Sequence, residues 1–183
     1  LFTGFGGNFR LQNPAATLSD RLLSGKFACS LWTCGISVEI VATGRGSDPI
    51  ATAQNGGLNK RVEESLLMAK RLKAMGMPVI LSCWFPPAWA IDGGPASYAR
   101  QGGVIAYRLD NRKKEKIYKS MADYLLYAKQ HYGIEFSMFS FNESDLGIDV
   151  LHTPQEHADF IKEFGAYLAG LNLLPHAAWR QFG

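Results

Sequence analysis

The feature that most constrains the fold of this chain is an alternation of amphipathic helical segments with short apolar segments. Residues 59–76 predict a helix, because apolar side chains recur there at helical spacing and Gly76 is a natural stop. The apolar positions of this helix are Val62, Leu66, Ala69 and Leu72. Residues 77–83 follow directly as a continuous apolar run, which is typical of a strand buried on both faces.

The same alternation recurs in the second half of the chain. Residues 114–131 predict a helix that ends before Gly133, and residues 134–141 predict a strand. Residues 153–156 (TPQE) predict the start of a third helix, with a threonine N-cap, a proline at the first helical position and a glutamate placed for a capping box. The apolar faces of these two helices are Ile117, Met121, Tyr124, Leu125 and Ala128, and then Phe160, Ile161, Phe164, Tyr167, Leu168 and Leu171.

This order of segments predicts an α/β fold with a parallel sheet and right-handed crossovers. Residues 2–9 predict a first strand, whose glycines allow a close approach of backbone to a ligand. Residues 84–110 lack apolar periodicity and predict a long loop of the kind that carries function. A doubly wound sheet and a (β/α)8 barrel both satisfy the pattern, since both place chemistry after the carboxyl ends of the strands.

Composition excludes several classes of partner. The chain has 183 residues, 47% hydrophobic and 19% charged, and is expected to form one globular domain. The net charge of +3 is mild, so no nucleic-acid partner is expected, and the basic run 112–116 is interpreted as the solvated start of a helix. No apolar run reaches the ~18 residues of a membrane span, and the residues after Leu1 do not read as a signal peptide.

Neither a metal ion nor an organic cofactor is expected. The four histidines show no paired ligand spacing, and the three cysteines include no C-x-x-C. The glycines at positions 4, 6 and 7 do not complete a dinucleotide fingerprint, because position 9 is Phe. An α/β oxidoreductase with an open sheet would need such a cofactor loop, so this class of function is disfavoured.

Asn142 and Glu143 stand side by side where the predicted strand 134–141 gives way to a loop. Glycosidic cleavage needs a carboxylic acid that protonates the leaving oxygen, a second carboxylate, and a hydrogen-bonding group near the sugar 2-hydroxyl. Glu143 is a candidate for the proton donor, and Asn142 is a candidate for the hydrogen bond. The alternative is that both are turn residues exposed to water.

Trp84 and Trp89 follow another predicted strand and are separated by two rigid prolines. Sugars bind with their C–H faces against aromatic rings, so both tryptophans suit a sugar site, although filling of the core is the alternative. His152 lies on the loop after Glu143. Its side chain is a candidate for contact with a substrate, and the alternative is a surface or helix-capping role.

Three segments together resemble glycoside hydrolase family 30 and its relatives, a clan of retaining barrel hydrolases. They are residues 4–9 (GFGGNF), 84–89 (WFPPAW) and 142–143 (NE), in the order that the family shows. The resemblance implies a partial (β/α)8 TIM barrel of about the first four β/α units. Residues 1–183 are then the N-terminal portion of a single catalytic domain.

By this resemblance, Glu143 at the end of the fourth strand is the catalytic acid/base, and Asn142 contacts the 2-hydroxyl beside the scissile bond. Trp84 and Trp89 form the wall of the sugar subsite, and Asn8 belongs to its floor or rim. The implied mechanism is double displacement through a covalent glycosyl-enzyme. The implied substrate is a β-linked glycan or glycoconjugate, and the implied location is secreted or periplasmic.

Two departures from the family pattern qualify these expectations. The family's nucleophile is a glutamate at the end of the seventh strand, which this chain does not contain, so the chain is expected to be an inactive portion without the nucleophile half. The family also carries an arginine on its second strand, where this chain reads ISVEIV at residues 36–41. The rival function is a carbohydrate-binding barrel without catalysis, and a downstream glutamate at a strand end would separate the two.

Overall fold

A computed structural model describes residues 5–8, 29–37, 49–58, 60–101, 104–141 and 149–173. In chain order the described strands are β1 (Phe5–Asn8), β2 (Cys29–Ser37), β3 (Val79–Phe85), β4 (Ala99–Gln101), β5 (Val104–Tyr107), β6 (Met138–Phe141) and β7 (Asp149–Val150). The described α-helices are α1 (Pro49–Thr52), α2 (Lys60–Ala74), α3 (Lys114–Tyr132) and α4 (Pro154–Gly170). Short 3-10 turns lie at Ala88–Ala90 and Asn111–Lys113.

The main sheet has the strand order β1-β2-β3-β6, and all of its neighbours are parallel. Each strand lies beside the strand that precedes it in this sheet. A doubly wound sheet reverses its strand order at a switch point, whereas a barrel adds strands successively in one direction. The described part of the sheet follows the barrel order, which the sequence pattern alone left open.

Strand β2 is the part of the sheet that sequence periodicity did not predict. It pairs with β1 on one side and with β3 on the other, and therefore occupies an interior position. Its sequence, CSLWTCGIS, mixes small and polar residues with apolar ones and shows neither clean alternation nor a continuous apolar run.

A second, smaller sheet corrects the expectation of an irregular loop over residues 84–110. Strands β4 and β5 form an antiparallel hairpin within that segment, and β5 also pairs in parallel with β7. These strands have only two to four residues each, which is too short for a periodic pattern to be visible in the sequence. The hairpin therefore connects the segment after β3 to the segment after β6.

The three long helices confirm the predicted helices to within a few residues. Gly76 and Gly133 follow α2 and α3 with φ angles of 77° and 65°, a left-handed conformation that glycine adopts without steric cost. At the start of α4, the Thr153 hydroxyl accepts from the Glu156 amide at 3.2 Å, and the Glu156 carboxylate accepts from the Thr153 amide at 2.7 Å. The predicted capping box is therefore present.

The core lies where the long helices pack on the main sheet and on one another. Its largest fully buried side chains are Tyr124, Phe164, Leu66, Met68, Leu72, Leu81, Ile134, Leu168, Val62 and Val79. Leu171 was expected on the apolar face of α4, but it lies beyond Gly170 and is 40% exposed. Among the described helices, none is long and apolar enough to cross a membrane.

Candidate active site

The carboxyl ends of the parallel strands form the edge of the main sheet at which the sequence places its site. Phe141, the last residue of β6, is in register with Cys83 of β3, and Cys83 is in register with Ile36 of β2. The three strands therefore end close together. Asn142 and Glu143, the residues that follow Phe141, lie outside the described residues.

Asn8 and Trp84 belong to two strands of this sheet that are separated by β2. Asn8 is in register with Thr33, and Thr33 is in register with Ile80, four residues before Trp84. At a rise of about 3.3 Å per residue, the two positions are offset by roughly 13 Å along the strand direction.

Trp89 lies on the 3-10 turn just after β3 and is partly buried against the core. The Lys116 ammonium, from the first turn of α3, stands 4.5 Å from the centroid of the indole ring. A cation over an aromatic face is attracted by the ring's quadrupole. The ring therefore has a packing role of its own, and a sugar would share it with Lys116.

The buried carboxylate of Asp110 connects the segment that carries Trp89 to the start of α3. Asp110 accepts hydrogen bonds from the amide, Nε and Nη2 of Arg112 at 3.1, 2.8 and 3.1 Å, and pairs with the Lys113 ammonium at 2.9 Å. The amide of Asp110 donates to the carbonyl of Ala90, next to Trp89, at 2.8 Å. These bonds from Arg112 and Lys113 hold the pKa of Asp110 well below its usual range.

A cleft of about 560 Å³ opens where the segment after β5, the start of α3 and the first half of α4 meet. We call it the ion-pair cleft. Its lining residues are Asp92, Arg108, Leu109, Asp110, Asn111, Arg112, Lys114, Ile117, Tyr118, Leu151, His152, Glu156, Asp159, Phe160 and Glu163. Of the side chains that the structure describes, the cleft includes one predicted site residue, His152, and does not include Trp89.

His152 follows β7 and precedes the N-cap of α4, so its ring lies against the first turns of that helix. Its ring centroid is 5.6 Å from that of Phe160 and 5.8 Å from that of His157. Burial, reinforced by the charges of His157 and Arg108 and opposed by Glu156, lowers the pKa of His152 to about 4. The imidazole is therefore neutral at neutral pH and suits hydrogen bonding to an uncharged ligand.

Sequence reasoning missed most of the cleft. The basic run 112–116 was interpreted as a solvated helix start, and its arginine is indeed 79% exposed, but that arginine and Lys114 also make ion pairs with residues distant in the sequence. Glu163, the partner of Lys114, lies 49 positions further along the chain. No local pattern signals such a pair. Among the described residues, no cluster of His, Cys, Asp or Glu is arranged to hold a metal ion.

Comparison with solved structures identifies the fold. The chain is similar to a family 30 endoxylanase from Clostridium papyrosolvens (TM-score 0.67, 25% identity, 89% of this chain and 39% of that one). It is also similar to a family 30 subfamily 8 xylanase from Clostridium acetobutylicum (TM-score 0.68, 20% identity, 92% and 40%). A third similar structure is an endo-β-1,6-glucanase (TM-score 0.64, 18% identity, 93% and 42%).

These structures confirm the resemblance to glycoside hydrolase family 30 that the three sequence segments indicated. The chain spans about 40% of the length of the solved structures that it matches, which fits a family 30-like N-terminal portion. No protein-family model matches the chain, and no curated protein matches it.

Proposed function

We propose that this family 30-like chain supplies the first four β/α units of a (β/α)8 barrel in a retaining glycoside hydrolase that cleaves β-linked glycans. The observation that carries the proposal is the fold: about nine-tenths of the chain matches solved glycan hydrolases with TM-scores of 0.64 to 0.68, and its main sheet has the parallel order β1-β2-β3-β6. In barrels of this kind, active sites are built at the carboxyl ends of the strands. The motif at residues 84–89 runs across the end of β3, and the motif at residues 142–143 comes directly after β6.

The proposed catalytic acid/base is Glu143, with Asn142 as the group that binds the 2-hydroxyl. The register of Phe141 with Cys83 supports this assignment, because the chain leaves β6 beside the backbone of Trp84. Glu143 would protonate the glycosidic oxygen as the bond breaks, and its carboxylate would then deprotonate the water that releases the sugar. Trp84, Trp89, Asn8 and His152 are the proposed substrate contacts.

The nucleophile is proposed to be a second carboxylate, contributed by the other half of the barrel. In retaining glycosidases the two carboxyl groups stand about 5 to 5.5 Å apart, so that the nucleophile can attack the anomeric carbon while the acid protonates the leaving group. Residues 1–183 alone are therefore expected to be inactive. A downstream strand that ends in a glutamate would distinguish this enzyme from the carbohydrate-binding barrel, which the similarity to hydrolases does not favour.

The proposed substrates are xylan-like or glucan-like polysaccharides. The similar structures are described as xylanases and as an endo-β-1,6-glucanase, and two tryptophans near the strand ends suit the apolar faces of pyranose rings. Because such polymers do not enter cells intact, the proposed location of the protein is secreted or periplasmic.

The decisive experiment replaces Glu143 by Gln in the full-length enzyme. Hydrolysis of xylan or β-1,6-glucan should fall by a factor of about 10²–10⁴, because the alkoxide leaving group is no longer protonated, while binding of the polymer persists. Aryl glycosides with an activated leaving group should be affected less, since they need little protonation. In Glu143→Ala, azide should attack the glycosyl-enzyme without a base and give a glycosyl azide of retained configuration.

The matched control is Glu135→Gln, which removes an exposed glutamate that pairs with Lys129 beyond the end of α3. This variant should keep the activity of the parent enzyme. If Glu143→Gln hydrolyses the polymer as fast as the control does, Glu143 is not the acid/base.

A further inference from the structure

The rim of the ion-pair cleft is formed by three groups of paired charges. Arg108 donates to Glu156 at 3.0 and 3.3 Å, across the start of α4. The Lys114 ammonium lies 2.8 Å from the Glu163 carboxylate, which also accepts from the Tyr118 hydroxyl at 2.9 Å. The third group is Arg112 with the carboxylates of Asp92 and Asp110.

These rim groups remain within reach of a ligand. The side chains of Arg108 and Glu156 are 54% and 40% exposed, and those of Lys114 and Glu163 are 39% and 44% exposed. A guanidinium has five N–H donors and a carboxylate accepts about four hydrogen bonds, so one ion pair does not exhaust either partner. The rim therefore presents donors and acceptors in alternation.

The floor of the cleft is apolar and includes two packed aromatic rings. Tyr118 and Phe160 meet edge to face, with ring centroids 5.4 Å apart. Ile117, Leu109 and Leu151 complete the apolar part of the lining. The volume of about 560 Å³ lies in the usual range of small-molecule sites, and ten of the fifteen lining residues are charged or polar, so the cleft suits a polar ligand.

The charges of the cleft lining select against anionic ligands. An anion would have to displace a carboxylate from Arg108, Lys114 or Arg112, because each of these cations already pairs with one. The Asp159 carboxylate accepts from the Gln155 amide at 2.9 Å and adds negative charge to the lining. A ligand that is uncharged and rich in hydroxyl groups can bond to the donors and acceptors of this rim without displacing any ion pair.

We infer that the ion-pair cleft binds sugar units of a neutral oligosaccharide, apart from Trp89, which does not line the cleft. The inference rests on the proposed function for the choice of ligand, and on the cleft's own charges and floor for the site. The first turn of α3 connects the two regions, because Lys116 covers Trp89 while Lys114 and Ile117 line the cleft. A glycan chain that reaches Trp89 is therefore close to the cleft.

The test is calorimetric titration of the full-length enzyme, made inactive by Glu143→Gln, with xylohexaose and with a β-1,6-linked glucohexaose. The added variants are Arg108→Gln and Lys114→Gln, which remove rim donors that are at least one third exposed. If one oligosaccharide spans Trp89 and the cleft, each variant should weaken its binding about tenfold. If the cleft binds a second oligosaccharide molecule, each variant should halve the stoichiometry. The control Lys129→Gln removes a comparable lysine that pairs with Glu135 at the far end of α3, and should bind as the parent does.

Thermal midpoints within about 2 °C of the parent would show that the rim variants are folded. Affinity and stoichiometry equal to those of Lys129→Gln would overturn the inference, as would the absence of binding by either sugar. Failure of the proposed function is separate, because it would appear before any rim variant is made, either as no hydrolysis by the parent enzyme or as undiminished hydrolysis by the Glu143→Gln enzyme.

Discussion

The Nε atom of Arg112 lies 2.8 Å from Oδ1 of Asp110, a side chain of which only 3% is exposed. The Nη2 atom of the same guanidinium reaches the other oxygen of Asp110 at 3.1 Å and Asp92 at 3.2 Å. A planar guanidinium that bonds both oxygens of one carboxylate fixes direction as well as distance. Through Asp92 and Asp110, Arg112 thus connects both ends of segment 92–110 to the start of α3.

Asp110→Asn is expected to destabilise the protein more than Asp123→Asn does. Asp110 faces two cations, whereas Asp123, 6% exposed, faces Lys119 in an i,i+4 pair. An amide carries no charge to balance either cation, and it leaves the Nε of Arg112 and the Lys113 ammonium without a carboxylate. Thermal unfolding followed by circular dichroism at pH 7 measures the difference, and equal midpoints for the two variants would contradict the role of Asp110.

The stability difference between wild type and Asp110→Asn is expected to depend on pH. Because the pKa of Asp110 is held below its usual range, its carboxylate stabilises the folded state fully above the unfolded pKa of about 3.9. The difference in midpoint between wild type and Asp110→Asn should stay constant from pH 7 to about 5, where protonation of the unfolded carboxylate begins. It should shrink only in stronger acid.

His152 should also lower the stability of the folded protein as the pH falls, but already near neutrality. Burial lowers its pKa from 6.5 to about 4, so below pH 6.5 the unfolded chain binds a proton that the folded chain does not. Stability should fall by about 2 kcal/mol between pH 7 and 4.5 through this group, after allowance for its partial exposure. Urea titrations of wild type and His152→Gln would show the loss in wild type alone. An equal loss in both proteins would exclude His152 as its source, with exposed His131→Gln as the control.

Thr153→Ala is expected to cost about 1 kcal/mol, because the first amides of α4 lose the side-chain acceptor of the capping box. Thr153→Ser keeps the hydroxyl and should retain most of the stability. Urea unfolding at pH 7 measures both variants. If serine and alanine were equally destabilising, the loss would come from the packing of the threonine methyl rather than from the cap.

The helices were predictable because their information is local. Spacing of apolar residues located α2, α3 and α4, and residues 153–156 specified the start of α4 down to its two reciprocal hydrogen bonds. Strand β2 and the β4–β5 hairpin were missed, since short or mixed strands acquire their identity from the partners beside them. Trp89 was visible as an aromatic residue after a strand, but its contact with Lys116 was not.

The amino-acid sequence by itself determined the α/β class, the three long helices and the motif positions that resemble a glycoside hydrolase, because each depends on residues that are close together in the chain. Only the tertiary structure decided the order of the parallel strands, the offset of Asn8 from Trp84, and the meeting of Lys114 with Glu163. The physical reason is that strand pairing and ion pairing are long-range contacts: their partners are selected by the shape of the packed core, which no local stretch of sequence contains.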